Sequence, residues 1–167
     1  MINSEFTIKD RRIDTLAFDP QSKAFVIIEY KRERNSSVID QGFTYLSLML
    51  QNQADFILEY NETQAGNLKR NDVDWSQTKV VFVSQGFTPN QREAVNFKDL
   101  SIELWEVKRY ENDSVFITPI RKSHASASIK TVMQNSPEFK EVTEKIKEYS
   151  EENLVKGKSD DVVELYE

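Results

Sequence analysis

Residues 12–32 read RIDTLAFDPQSKAFVIIEYKR. Two apolar runs, 13–18 and 24–30, flank the turn-forming segment Asp19-Pro20-Gln21-Ser22-Lys23, which predicts a β-hairpin. Three charged residues interrupt it. Asp14 stands early in the first run, and Glu29 and Lys31 stand two apart at the end of the second. Residues i and i+2 of a pleated strand share a face, so Glu29 and Lys31 emerge together. Hairpin register carries the start of one strand to the end of the other, which can bring Asp14 beside them. Carboxylates and an ammonium at the end of an apolar strand are costly unless they hold a metal or one another.

Working outward, residues 5–8 alternate polar and apolar and predict a first short strand of an antiparallel meander. Phe25-Val26-Ile27-Ile28 is apolar on both faces, the mark of a central strand covered on both sides. After a polar loop, in which Glu33 and Arg34 read as solvated charges and Ser36 or Ser37 can cap a helix, a helix is expected over 38–51. Ile39, Phe43, Leu46 and Leu50 form its apolar stripe, while Gln41 and Tyr45, four apart, share another part of its surface. Residues 54–60 fit helix or strand and lean to helix; 61–77 read as a surface loop. A buried strand is expected at 79–84, a short helix over 89–97 capped by Thr88, and strands at 102–107 and 115–118, with Trp105 and Phe116 packed in the sheet. Strands and helices alternating after an antiparallel start predict an α/β fold bordering on α+β, a mixed sheet with helices on both sides.

The chain has 167 residues, no cysteine and a net charge of −6. That length suits one domain with an appendage. Without cysteine there are no disulfides, thiolate metal sites or cysteine nucleophiles. No apolar run approaches the roughly 20 residues of a membrane helix, and no signal-peptide pattern opens the chain, so no membrane partner and a cytoplasmic location are expected. The acidity is concentrated. Residues 134–167 hold ten acids and five lysines, whereas the other 133 residues carry 17 basic and 18 acidic side chains. Lys9, Arg11, Arg12, Lys23, Lys31, Arg32 and Arg34 cluster around the opening hairpin and read as a solvated face or as a phosphate-facing patch.

Residues 121–136 are polar and serine-rich, a linker that separates a domain at 1–120 from a charged helical tail at 137–167. In the tail, 137–153 carries Phe139, Val142 and Ile146 on one stripe, and 160–167 reads as the opening turns of a further helix. Such segments cannot bury their apolar faces alone. They dock on the first domain, pair with another chain as in a homodimer, or begin a second domain. His124, the single histidine, falls in the linker and is a poor general base there. Asp10, Asp19 and Asp40 read as turn or helix-start residues.

Asp14, then Glu29-Tyr30-Lys31 closing a buried strand, then Gln41-x-x-x-Tyr45 on the next helix resembles the PD-(D/E)xK nuclease superfamily. The Gln-x-x-x-Tyr is similar to its RecB-like branch. The run RIDTLAFD…FVIIEYKR…VIDQGFTYLSLML also resembles a group of prokaryotic proteins with a restriction-endonuclease-like domain, many of which continue into a small C-terminal domain that LVKGKSDDVVELYE resembles at its start. The resemblance implies a three-layer core, with a mixed sheet flanked by helices, and a hydrolase that cuts DNA, with RNA left open. It implies Mg²⁺ or Mn²⁺ held by Asp14, Glu29 and the backbone carbonyl of Tyr30, with Lys31 on the attacking water or the phosphate, and Gln41 and Tyr45 as site or backbone contacts. It departs in one respect. Only Met1–Ser4 precede the first strand, so the helix that often comes first in the superfamily, commonly with another acid, is missing; Glu5 is the nearest acid. The alternative is a nuclease-fold module that binds nucleic acid or a protein without cutting; a purely structural oligomerisation unit is a third reading.

Overall fold

The structure is a computed structural model that describes residues 1–32 and 38–128. The chain divides into two compact units, Met1–Ser126 and Ala127–Glu167, and the first holds all the elements below. The expected Ser36/Ser37 cap, the charges Glu33 and Arg34, and the tail helices at 137–153 and 160–167 lie outside the described residues.

The expected meander forms as β1 (Asn3–Ile8), β2 (Arg11–Asp19) and β3 (Ala24–Lys31), paired antiparallel in sequence. Asp19 makes the β2–β3 turn: its carboxylate accepts from the Gln21 amide at 3.0 Å and the Ser22 hydroxyl at 2.7 Å, and these bonds lower its pKa. Two helices follow, α1 (Val38–Gln51) and α2 (Gln53–Gln64). The chain returns as β4 (Lys79–Ser84), parallel to β3, then α3 (Pro89–Ala94), then β5 (Ile102–Arg109), parallel to β4. Antiparallel β6 (Val115–Pro119) completes a sheet whose spatial order is its chain order. The result is a mixed α/β sheet, with the parallel strands joined through helices as such connections require.

Several local expectations are corrected. Residues 54–60 are helical, the alternative they leaned to, but α2 runs on to Gln64 into the segment expected as loop, and the rest of that segment holds two short 3-10 turns. α3 is shorter than expected, ending at Ala94, although Thr88 caps it as foreseen: its hydroxyl accepts from the Gln91 amide while the Gln91 side chain accepts from the Thr88 amide. Phe116 is 59% exposed rather than packed, because β6 is an edge strand with every residue exposed.

The helices also gather on one side. Val38, Tyr45 and Met49 of α1, Phe56 of α2, and Phe87 and Val95 flanking α3 join Leu16, Phe25, Ile27, Val80, Phe82, Ile102 and Leu104 of the sheet in one cluster. The alternate residues Val26, Val81 and Val83 form a second, smaller cluster with Ala17, Ile28, Trp105 and Val107. Among the described residues that cluster is built from the sheet alone, so they make two layers rather than the expected three.

The core face of α1 is rotated from the expected stripe. Val38, Gly42, Tyr45 and Met49 are buried, whereas Phe43 and Leu50 are about half exposed, at 46% and 49%. Gly42 is the cause. A Cβ there would stand 2.6 Å from Cδ1 of Ile102 and 3.3 Å from the Phe82 ring, so glycine lets the helix lie this close to β4 and β5 without displacing those side chains. Gly42→Leu is expected to cost about 1–3 kcal/mol and to lift Gln41 and Tyr45 away from the sheet. Urea unfolding measures the first effect; an unchanged midpoint would mean that the contact is easily relieved.

Candidate active site

The charged residues of the hairpin meet α1 at the C-terminal end of β3. The β2–β3 ladder is paired from Asp19↔Ala24 to Thr15↔Ile28, which leaves Asp14 at the position opposite Glu29. There the Asp14 side chain replaces the ladder: its Oδ2 accepts the main-chain N–H of Tyr30 at 2.9 Å. On the other side of β2, Glu5 lies between the pairs Ser4↔Thr15 and Phe6↔Ile13 and has a φ of 59°. A regular pleat puts residues three apart on opposite faces, yet Ile13 and Leu16 enter the same core cluster. The sheet is therefore irregular around Asp14, a distortion of the kind that re-aims a side chain. Glu5 itself pairs with Arg12 at 3.2 Å.

Glu29 points to the helix-covered face, in line with Phe25 and Ile27 and beside Phe82 of β4. It is 7% exposed. Lys31 Nζ lies 3.7 Å from Glu29 Oε1 and 5.7 Å from the centre of the Phe82 ring, and a cation over a ring face at that range is attracted. Gln41 organises the group. Its Oε1 accepts from Lys31 Nζ, and its Nε2 donates to Glu29 Oε1 at 2.9 Å and to the Tyr45 hydroxyl at 2.9 Å. That hydroxyl donates in turn to the main-chain carbonyl of Arg12 at 3.2 Å. Spacing of four on α1 is what lets Gln41 and Tyr45 act as one unit.

One oxygen is left over. Glu29 Oε2 is buried and has no hydrogen-bond partner of ordinary geometry among the described residues. Burial raises the Glu29 pKa first, and the negative charge of Asp14 second; the Lys31 charge, the Asp14 backbone and the Gln41 amide oppose them. Tyr45 is also raised, by burial and then by the charge of Glu29, so it stays a protonated donor at neutral pH.

All six residues singled out from the sequence, Asp14, Glu29, Tyr30, Lys31, Gln41 and Tyr45, thus fall in one neighbourhood. Tyr30 contributes main chain there, while its side chain is 56% exposed. His124 is exposed and takes no part in these contacts. The carbonyl of Arg12 and the ring of Phe82 are participants that residue type alone could not flag, since a carbonyl carries no side-chain signal. Two carboxylates, one with a spare buried oxygen, are a hard-oxygen donor set that suits Mg²⁺ or Mn²⁺, cations that keep several waters and need few protein ligands. Among the described residues there is no group of three or more His, Cys, Asp or Glu able to hold a metal.

The chain is 57% identical over 166 residues to an uncharacterised protein of Haemophilus influenzae, an alignment that covers 99% of this chain and 55% of that protein. The chain therefore spans about half the length of the curated relative it matches. No family model and no solved structure matches it. Among the described residues no helix is long and apolar enough to cross a membrane.

Proposed function

We propose that this domain is a divalent-metal-dependent nuclease that hydrolyses DNA phosphodiester bonds at the Asp14–Glu29–Lys31 group. The observation that carries the reading is Glu29 Oε2, buried opposite Asp14 without a hydrogen bond of ordinary geometry among the described residues, with Lys31 on the same strand face. An uncompensated buried oxygen costs free energy, and a cation shared with Asp14 removes that cost. Asp14, Glu29 and the Tyr30 carbonyl would hold Mg²⁺ or Mn²⁺; such an ion, when bound, supplies Lewis-acid neutralisation of phosphate oxygens and a water of lowered pKa. The chain's own groups do the rest. Lys31 offers a proton donor and a positive charge to the attacking water or the phosphate, and Gln41 keeps its ammonium beside Glu29. Tyr45 fixes Gln41 and ties α1 to the strand that bears Asp14. A restriction-endonuclease-like architecture, of which the described residues form the sheet and one helical layer, belongs to the same proposal, as does a cytoplasmic setting.

A second reading, a nuclease-fold module that binds nucleic acid or a protein without cutting, is favoured by the closure of the ion pair. The Lys31 and Glu29 side chains are only 15% and 9% exposed. Incubation of the purified protein with duplex and single-stranded DNA and with RNA, in Mg²⁺, Mn²⁺ or EDTA, separates the two. Cleavage of DNA that requires the metal and disappears in Asp14→Ala and Lys31→Ala is the expected result. Cleavage that persists unchanged in both variants removes the assignment, and salt-sensitive binding with no metal-dependent turnover selects the second reading.

A further inference from the structure

The sheet has two edges, and they are built differently. At the β1 edge the ladder to β2 is interrupted at Glu5, whose φ is 59°, and the Asn3 side-chain amide donates to Glu59 of α2 at 2.7 Å. Irregular backbone and a covering helix are means by which edge strands avoid joining other chains. The β6 edge has neither. Its ladder to β5 is regular from Val115↔Arg109 to Pro119↔Trp105, and among the described residues it pairs with β5 alone. The run Ser114-Val115-Phe116-Ile117-Thr118 carries no charge. Tyr110, Val115, Phe116 and Ile117 are each half exposed or more. A smooth apolar edge with open main-chain groups is a template for another strand.

The geometry of β6 suits a second copy of itself. The Ser114 carbonyl accepts from the Tyr110 N–H, and the Ile120 N–H donates to the Leu104 carbonyl, so both residues face β5. Main-chain groups alternate along an antiparallel strand. Phe116 and Thr118 therefore also face β5, while Val115, Ile117 and Pro119 face outward. Pro119 has no N–H to offer, which leaves the outward donors at Val115 and Ile117. Antiparallel pairing that matches Val115 of each copy with Ile117 of the other engages all of them. The two Phe116 residues then meet on the two-fold axis. Ile117 pairs with Val107, so Val115 and Ile117 lie on the face that holds the smaller apolar cluster with Trp105 and Val107. The pairing extends that cluster across the axis.

Charge fits the same arrangement. Glu111 in the β5–β6 turn and Arg121 just beyond β6 are exposed, and neither has an ion-pair partner among the described residues. Asp113, by contrast, is held by Arg109 at 2.5 Å. The five residues of β6 span about 17 Å, too far for Glu111 and Arg121 of one chain to meet. Each lies five residues from Phe116. A second copy turned about Phe116 thus brings Arg121 of each chain to the level of Glu111 of the other.

We propose that β6 pairs antiparallel with β6 of a second copy, joining the two sheets into one in a homodimer. This dimer does not depend on the nuclease reading. Sedimentation equilibrium of the full chain, from micromolar to hundreds of micromolar, tests it. A species of about 39 kDa, twice the 19.5 kDa of one chain, is expected to grow with concentration. Ile117→Lys should abolish that species and keep the parent's circular dichroism, since the side chain is half exposed. Arg121→Glu should weaken the dimer by about tenfold, its two symmetric contacts taken together. Adding Glu111→Arg to the same chain should restore the parent's affinity. The chain has no cysteine, so Phe116→Cys reports the register. Residues opposite each other without ladder bonds have Cα atoms about 4.5 Å apart, within disulfide reach. Mild oxidation should therefore link Phe116→Cys chains in pairs and leave a control, Thr44→Cys on the exposed side of α1, unlinked.

A parent that stays monomeric throughout overturns the proposal and leaves the edge to a strand of another protein. A dimer that survives Ile117→Lys overturns this interface, as does a charge swap that fails to restore affinity. Phe116→Cys that links no faster than Thr44→Cys does so too.

Discussion

Glu29→Gln is expected to lower metal-dependent DNA cleavage by about 10²–10³-fold and, at the same time, to raise the thermal unfolding midpoint at neutral pH. Both effects come from one carboxylate. Its Oε1 already accepts from Gln41, and a glutamine oxygen can do the same; its Oε2 has no partner among the described residues. Burial and Asp14 hold the Glu29 pKa above its ordinary 4.5. The folded chain therefore binds this proton more tightly than the unfolded chain does. The associated stability is fully present below the unfolded value and is lost as pH rises through the raised folded value. Glutamine has no proton to lose there. The two proteins should thus melt closest together in acid, and the variant should gain on the parent towards neutral pH. Adding Mn²⁺ should then raise the midpoint of the parent and leave the variant where it was. A variant that melts below the parent at neutral pH would show that charged Glu29 is a net stabiliser through Lys31, which is the ion-pair reading of this site.

Phe25→Ala should be the most damaging single truncation in the first unit, costing about 3–5 kcal/mol out of the 5–15 typical of a domain. Phe25 is fully buried at the start of β3. It meets Phe18 at 5.2 Å and Phe56 at 5.8 Å edge-to-face, and it stacks on Trp75 at 5.5 Å. One ring thereby joins β2, β3, α2 and the turn before β4. Rigid neighbours of this size cannot close over the space left behind. Urea unfolding with an unaltered slope and a large drop in midpoint is the expected result. A loss below about 1 kcal/mol would mean that the aromatic cluster repacks.

The elements readable from the sequence are those whose pattern has no competitor. The runs 13–18, 24–30 and 79–84 can bury their side chains only as strands, and the sheet places them as β2, β3 and β4. Residues 54–60 lack a decisive period, and packing of Phe56 against Phe6 and Phe25 settles them as helix. The α1 stripe misled because hydrophobicity ranks Phe43 and Leu50 above Gly42 and Tyr45. Close approach to Ile102 and Phe82 selects the smallest residue instead, and Tyr45 enters the core because its hydroxyl finds Gln41 and Arg12. Phe116 misled for a related reason, since an apolar residue on an edge strand needs a neighbour that the pattern cannot reveal.

By itself the sequence determined the meander, the parallel return of the chain and the side-chain types available to a site: two carboxylates, a lysine, a glutamine and a tyrosine at spacings that strand and helix periods translate into shared faces. Tertiary structure alone decided that the ladder breaks at Asp14, that among the described residues Glu29 keeps one buried oxygen without a hydrogen bond of ordinary geometry, and that Gln41 joins Lys31, Glu29 and Tyr45 in one set of hydrogen bonds. The reason is physical. Periodicity tells which way a side chain leaves its own backbone, but distances between elements depend on how closely they pack, and here that closeness turns on the missing side chain of Gly42.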